Sequence, residues 1–182
     1  MKLKLLVLVL ALQSVWLLGT VVQQENILHA GTAVLLETQP VDPRDPLRGD
    51  YVSLNYKINN IPRDKFSPLL DHDLPAGTKV YAAIAPAGTN GFWEVTRADI
   101  KVFTPANNEV ILRGKCQWGW QNSPGSVRVE YGIEHYFVAE GTGNPRGKLT
   151  VQVAVSGSGR GSIKEVFVNG QPYADAMKKL TP

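Results

Sequence analysis

Cysteine is almost missing from this chain: Cys116 is the single copy in 182 residues. An intramolecular disulfide is therefore impossible, and a metal site built on a cysteine cluster is excluded. Histidine is nearly as scarce. His29, His72 and His135 are scattered and lack the H-E-x-x-H spacing of a zinc hydrolase. No G-x-S-x-G is present to form a nucleophile elbow. A basic excess is missing as well. The formal charge is +3, but Lys2 and Lys4 precede every acidic residue, and beyond them 17 Lys and Arg face 16 Asp and Glu. A nucleic-acid-binding domain keeps a strong positive excess on itself, so no nucleic acid is expected as a partner. A second long hydrophobic run is also missing, which leaves the first one to set the topology.

That run is Leu5 to Val22, broken only by the uncharged polar residues Gln13, Ser14 and Thr20. As a helix it rises about 27 Å, close to the ~30 Å hydrocarbon thickness of a bilayer. Lys2 and Lys4 lead it, and Gln23, Gln24 and Glu25 follow. The positive-inside rule then leaves the N-terminus cytoplasmic and carries the rest across. A cleaved signal peptide is the competing reading. It requires a shorter apolar core ending at small residues in an A-x-A-like pattern, whereas this run ends Gly19-Thr20-Val21-Val22-Gln23. The expectation is an uncleaved, single-pass anchor in a bacterial cytoplasmic membrane with an extracytoplasmic, periplasm-facing domain. Residues 1–23 form the anchor, 24–32 a linker, and 33–182 the domain.

Beyond the anchor, 17 Gly and 12 Pro in the chain favour many short strands. Ala33 to Glu37 reads as the first strand. Pro40 to Pro46 (PVDPRDP) holds three prolines in seven residues and must be a loop. Gly49 to Ile58 alternates cleanly: Tyr51, Ser53, Asn55 and Lys57 on one face, Val52, Leu54, Tyr56 and Ile58 on the other. Residues 59–77 read as loop with a short helical turn near Phe66 to Leu70.

Lys79 to Ala85 and Phe92 to Thr96 read as a hairpin about a turn at 86–91. Asn108 to Trp120 reads as a strand split or bulged at Gly114 and Gly119. Ser126 to Tyr131 and His135 to Glu140 are further short strands. Leu149, Val151, Val153 and Val155 share a face, turn at Gly157 to Gly161 and return along Ile163 to Val168, the clearest hairpin in the chain. Tyr173 to Leu180 reads as a terminal helix with Lys178 and Lys179 in its last turn. Eight or nine strands and little helix predict a mainly β domain, an antiparallel sandwich or barrel, after one transmembrane helix.

The segment PVDPRDPLRGDYVSLNYKI, residues 40–58, resembles the bacterial GDYXXLXY family. Gly49, Asp50, Tyr51, Leu54 and Tyr56 supply every position of the naming motif. Residues 131–141 (YGIEHYFVAEG) and the stretch from Gly159-Arg160-Gly161 to Val168-Asn169-Gly170 are similar to the family too. The resemblance implies a membrane-anchored extracytoplasmic domain covering most of the chain after the anchor. It brings no catalytic residues with it.

Candidate sites are therefore read from chemistry alone. Asp42, Arg44, Asp45, Arg48 and Asp50 crowd one proline-stiffened loop. They form either a polar recognition rim, with Tyr51 and Tyr56 beside it, or a loop that satisfies its own turns. The spacing is not that of an EF-hand. Arg-Gly occurs at 48–49, 113–114, 146–147 and 160–161, as turn chemistry or as arginines that converge on an anion. Cys116, Trp118 and Trp120 share a strand face, either as core or, for the two tryptophans, as a stacking platform. Glu134, His135 and Glu140 could act as acid, base or ligand. Ser53 with Lys57, and Ser162 with Lys164, are the pairings a serine–lysine dyad would need, without motif support.

No metal, cofactor or catalytic residue is expected. The leading expectation is a protein-interaction or accessory module for an envelope or membrane partner. The alternatives are a glycan- or peptide-binding module using Trp93, Trp118 or Trp120, and a hydrolase.

Overall fold

A computed structural model describes residues 2–39, 51–70, 72–117, 125–138 and 147–178. The chain enters as one helix, α1 (Lys2–Ala30), 29 residues long. Leu5, Val7, Leu12, Trp16, Leu18 and Val22 are all exposed although they point to different sides of it. An apolar surface on every face matches the pattern of a membrane span, and Lys4–Ala30 is long and apolar enough to cross a membrane. The helix does not stop where the apolar run stops. The segment 24–32 is helical as far as Ala30, and Ile27 is 7% exposed against the β domain.

Twelve strands follow among the described residues, more than the sequence pattern suggests because several hold only two or three residues. They are β1 (Thr32–Gln39), β2 (Tyr51–Ser53), β3 (Asn55–Tyr56), β4 (Asn60–Pro62), β5 (Lys79–Ala87) and β6 (Phe92–Asp99), then β7 (Val110–Cys116), β8 (Ser126–Glu130), β9 (His135–Phe137), β10 (Leu149–Val155), β11 (Gly161–Val168) and β12 (Gln171–Pro172). A short helix, α2 (Tyr173–Lys178), ends the described chain. One five-stranded sheet has the order β12-β11-β10-β1-β3 and the other β4-β8-β7-β5-β6, with β2 and β9 forming a separate ribbon. Every strand pairing is antiparallel. The fold is mainly β, with a near-barrel arrangement of sheets and one N-terminal apolar helix.

A single core joins both sheets. Val34, Leu36, Val151, Val153 and Val166 come from the first, and Val80, Ile84, Leu112, Val127 and Val129 from the second. The alternation at 51–58 is obeyed to the residue: Val52, Leu54, Tyr56 and Ile58 are buried and Tyr51, Ser53, Asn55 and Lys57 are not. It is not one strand, however. The chain changes partner at Leu54, so β2 pairs with β9 while β3 pairs with β1, and Lys57–Asn59 turns as a 3-10 helix.

Two further expectations are corrected. Within 59–77, Asn60–Pro62 is a strand and the helical turn comes at Arg63–Lys65, before Phe66 rather than after it. Phe66 itself is buried and bridges to Ala98. Gly114 makes no bulge. Its register against β5 runs on unbroken from Lys79↔Lys115 to Ile84↔Val110. A Cβ there would lie 2.4 Å from Val129 Cγ1 and 2.7 Å from the Glu130 carbonyl oxygen, so glycine is needed for close approach of β7 and β8. The observed irregularities lie instead in the β5–β6 pair between Ala83 and Ile84 and in the β10–β11 pair between Gln152 and Val153.

Candidate functional site

Residues 51–62 and 126–137 run side by side as the seam between the three sheets. Tyr51 faces Phe137 and Ser53 faces His135 at one end, while Asn60 faces Arg128 and Pro62 faces Ser126 at the other, all in one register. Past one more backbone bond, from the Leu54 N–H to the Glu134 carbonyl at 2.7 Å, β3 has gone to β1 and the ladder is replaced by side chains. The Tyr56 hydroxyl donates to the Ile133 carbonyl at 2.7 Å, and the Tyr131 hydroxyl donates to the Ile58 carbonyl at 2.8 Å. Asn59 Nδ2 donates to the Val129 carbonyl at 2.7 Å and to Glu134 Oε1 at 3.0 Å, and its Oδ1 accepts from the Tyr56 N–H. Glu134 also accepts the N–H groups of Tyr131 and Gly132. Burial pushes the Tyr56 and Tyr131 phenols far up, with the Glu134 charge adding to it, so both stay neutral donors.

The seam sorts the motif residues into two sets. Leu54 and Tyr56 face inward. Tyr56 is 0% exposed, so the expectation that it belongs to a binding rim is corrected: its ring is core and its hydroxyl is committed to Ile133. Tyr51 faces outward. On the β2–β9 ribbon its ring lies 5.0 Å from that of His135 and 6.3 Å from that of Phe137, which is 78% exposed. Three aromatic rings thus form an outward ledge, and the acidic-basic residues 42–50 immediately precede its first member in the sequence. Tyr136, between His135 and Phe137, points the other way and packs edge-on against Tyr173 at 5.4 Å, fixing the ribbon from behind.

The remaining candidates fall as follows. Asp42, Arg44, Asp45, Arg48, Asp50, Trp118, Trp120 and Glu140 lie outside the described residues. Cys116 is buried, and its burial pushes the thiol up, away from nucleophilic character. Trp93 is half-buried and packs against the core. Lys57 does not serve Ser53. Its ammonium pairs with Glu37, which holds it protonated above its ordinary range, the reverse of what a general-base lysine requires. Glu37 binds Lys148 as well, and these two lysines hold its carboxyl below the usual range. Ser162 accepts a hydrogen bond from Gln24 Nε2 at 2.5 Å. Arg113 and Arg160 come near one another through backbone, the Arg113 N–H donating to Gly159 at 2.8 Å. Among the described residues, no three His, Cys, Asp or Glu side chains converge as a metal site would require.

His135 and Phe137 are the members of the ledge that the sequence reading did not group with Tyr51. The signal was present: 51/53 and 135/137 are outward positions of two short alternating strands. Only the pairing of those strands brings them together.

These features define a class: a β-rich domain carried on a membrane-length apolar helix, with an aromatic ledge on its outer surface. The chain belongs to the GDYXXLXY protein family, whose sequence profile matches residues 13–166. No curated protein and no solved structure matches the chain.

Proposed function

We propose that this protein is a membrane-anchored accessory module that docks an envelope or membrane protein through the β2–β9 ledge and the polar residues 42–50 that precede β2 in the sequence. α1 crosses the cytoplasmic membrane once, with Lys2 and Lys4 inside and the β domain on the outer face. The near-barrel sheets act as the rigid frame that presents the ledge, as a closed or sandwiched β domain does.

The observation that carries this reading is the exposure of His135 and Phe137 beside the half-buried, outward-facing ring of Tyr51. Aromatic side chains ordinarily bury their large apolar surface. Aromatic side chains on the outer face, preceded in the sequence by a stretch rich in Arg and Asp, have the composition of an interface core with a polar rim. The inward partners of the same strands, Val52 and Tyr136, already supply the packing the ribbon needs.

The test is affinity purification of the full-length, C-terminally tagged protein from gently solubilised native membranes. The expected result is a stoichiometric membrane or envelope protein, retained by the wild type and lost from Tyr51→Ala/Phe137→Ala and from Arg44→Glu/Arg48→Glu variants that remain folded. A partnerless wild type, or capture unaffected by both variants, would overturn the reading.

A further inference from the structure

We propose that the cleft between α1 and the β10–β11 turn is a binding site for one membrane phospholipid, its phosphate-bearing headgroup held by amide and hydroxyl donors at the bilayer surface. The proposal rests on the membrane-spanning reading of α1.

The first step is depth. Val22 ends the apolar run. Two residues later Gln24 is bonded to Ser162 in β11, and Ile27 is buried against the domain. At about 1.5 Å of rise per residue, Val22 and Ile27 are separated by only about 7–8 Å. Ala154 and Ser162, cross-strand partners on the face opposite Val153 and Val155, are buried where the last turns of the helix reach the sheet. The domain therefore sits directly on the membrane surface and cannot stand off on a tether.

The second step is the cleft itself. About 460 Å³ of space lies between α1 and the turn, within the ~300–1,000 Å³ usual for ligand pockets. Gly19 and Val22 line its membrane-side end, Gln23 and Asn26 the helix wall above, and Ser156 and Ser158 the facing turn. A space bounded both by the last apolar turn of a transmembrane helix and by polar side chains opens at headgroup level. There the molecule at hand is a lipid. Gly19 has nothing within 4 Å of where a Cβ would stand, leaving a notch for the start of an acyl chain.

The third step is the chemistry of the walls. The Gln23 and Asn26 carboxamides and the Ser158 hydroxyl, which stands 3.0 Å from Ser156 Oγ, can donate to phosphate oxygens, while the Ser156 hydroxyl donates to the Arg160 carbonyl at 3.2 Å; no carboxylate lines the cleft among the described residues. The turn is held in place before any ligand arrives. The Ser156 N–H donates to the Arg160 carbonyl at 2.9 Å, Ser156 Oγ accepts the Arg160 N–H at 3.0 Å, and Gly159 accepts from Arg113 in β7. A preformed donor set gives up little entropy on binding.

The test uses full-length protein reconstituted in nanodiscs of phosphatidylglycerol and phosphatidylethanolamine, then released into mild detergent for native mass spectrometry. The wild type should retain one phospholipid. Gly157→Trp should lower the lipid-bound fraction roughly tenfold, because Gly157 lines the cleft and a side chain there meets nothing within 4 Å. Gly19→Leu, which fills the opposite wall, should do the same and guards against a folding defect in the first variant. Carbonate-resistant sedimentation of each protein with its membranes is read in parallel. Protein that stays in the membrane but carries no lipid as wild type, or the same lipid in both variants, overturns the cleft and leaves the anchor standing. Protein released by carbonate overturns the anchor and the cleft together.

Discussion

Tyr56 and Tyr131 exchange hydroxyl bonds across the seam of the β domain, the first to the carbonyl of Ile133 and the second to that of Ile58. Each phenol thus reaches past the end of one strand to satisfy a carbonyl beside the other. Together with Asn59 they close a gap in which β3 has left the ladder. The last residue of the signature motif is therefore a latch between two segments about 75 residues apart in the chain.

Tyr56→Phe and Tyr131→Phe should each destabilise the domain by about 1–3 kcal/mol, since each leaves a buried carbonyl without its donor. The double variant should cost less than the sum, because both act on one network. Urea unfolding of the full-length protein in micelles, followed by tryptophan fluorescence, reads both effects. Unchanged midpoints would show that the hydroxyls are dispensable to the latch.

Gly114→Ala should be among the most disruptive single-methyl changes in the chain. Its Cβ would overlap the Glu130 carbonyl oxygen and Val129 Cγ1 within one tight sheet, and overpacking of this kind costs about 1–3 kcal/mol or more. Gly157→Ala, with open space around its Cβ, should stay within about 0.5 kcal/mol of wild type. The same unfolding assay compares the two.

Acid should loosen the junction of β1, β10 and the turn after β3. Lys148 and Lys57 both hold the Glu37 carboxyl below its ordinary range, and Glu37 itself is only 15% exposed. A group whose folded pKa is depressed contributes its full stability above the unfolded value, ~4.3 for a glutamate, and loses it as pH falls through the folded value. Glu109 acts in the same direction. Burial raises its carboxyl, but the Ala106 N–H, the Thr96 hydroxyl and Arg97 together outweigh that and lower it. Stability should fall on acidification below about pH 4.3, and Glu37→Gln should be less stable at neutral pH with a shallower acid decline. Equal pH profiles for the two proteins would remove Glu37 from the account.

How much of this was legible in the sequence differs element by element. The hairpin of β10 and β11 was legible because its alternation, its glycine turn and its partner all lie within twenty residues. Val52, Leu54, Tyr56 and Ile58 were legible as an inward face, since alternation follows from strand geometry whatever the partner. β4 was not, because three residues ending in Pro62 carry no period. Gly114 looked like a bulge because a glycine inside a strand has two readings, and only the packing of β7 against β8 chooses between them. The pairing of His135 and Phe137 with Tyr51 was hidden for the same reason: long-range register is set by burial of the whole core and not by local pattern.

The sequence by itself determined the membrane-length helix, the β-rich class and the inward face of the signature segment, because each depends on local periodicity and on the free energy of hiding apolar groups from water. The tertiary structure alone decided that the motif's Tyr56 is a latch while Tyr51 joins a ledge, and that the helix runs on into the domain and leaves a cleft at its foot. Those outcomes depend on which distant segments meet, and a chain read in order carries no record of its own crossings.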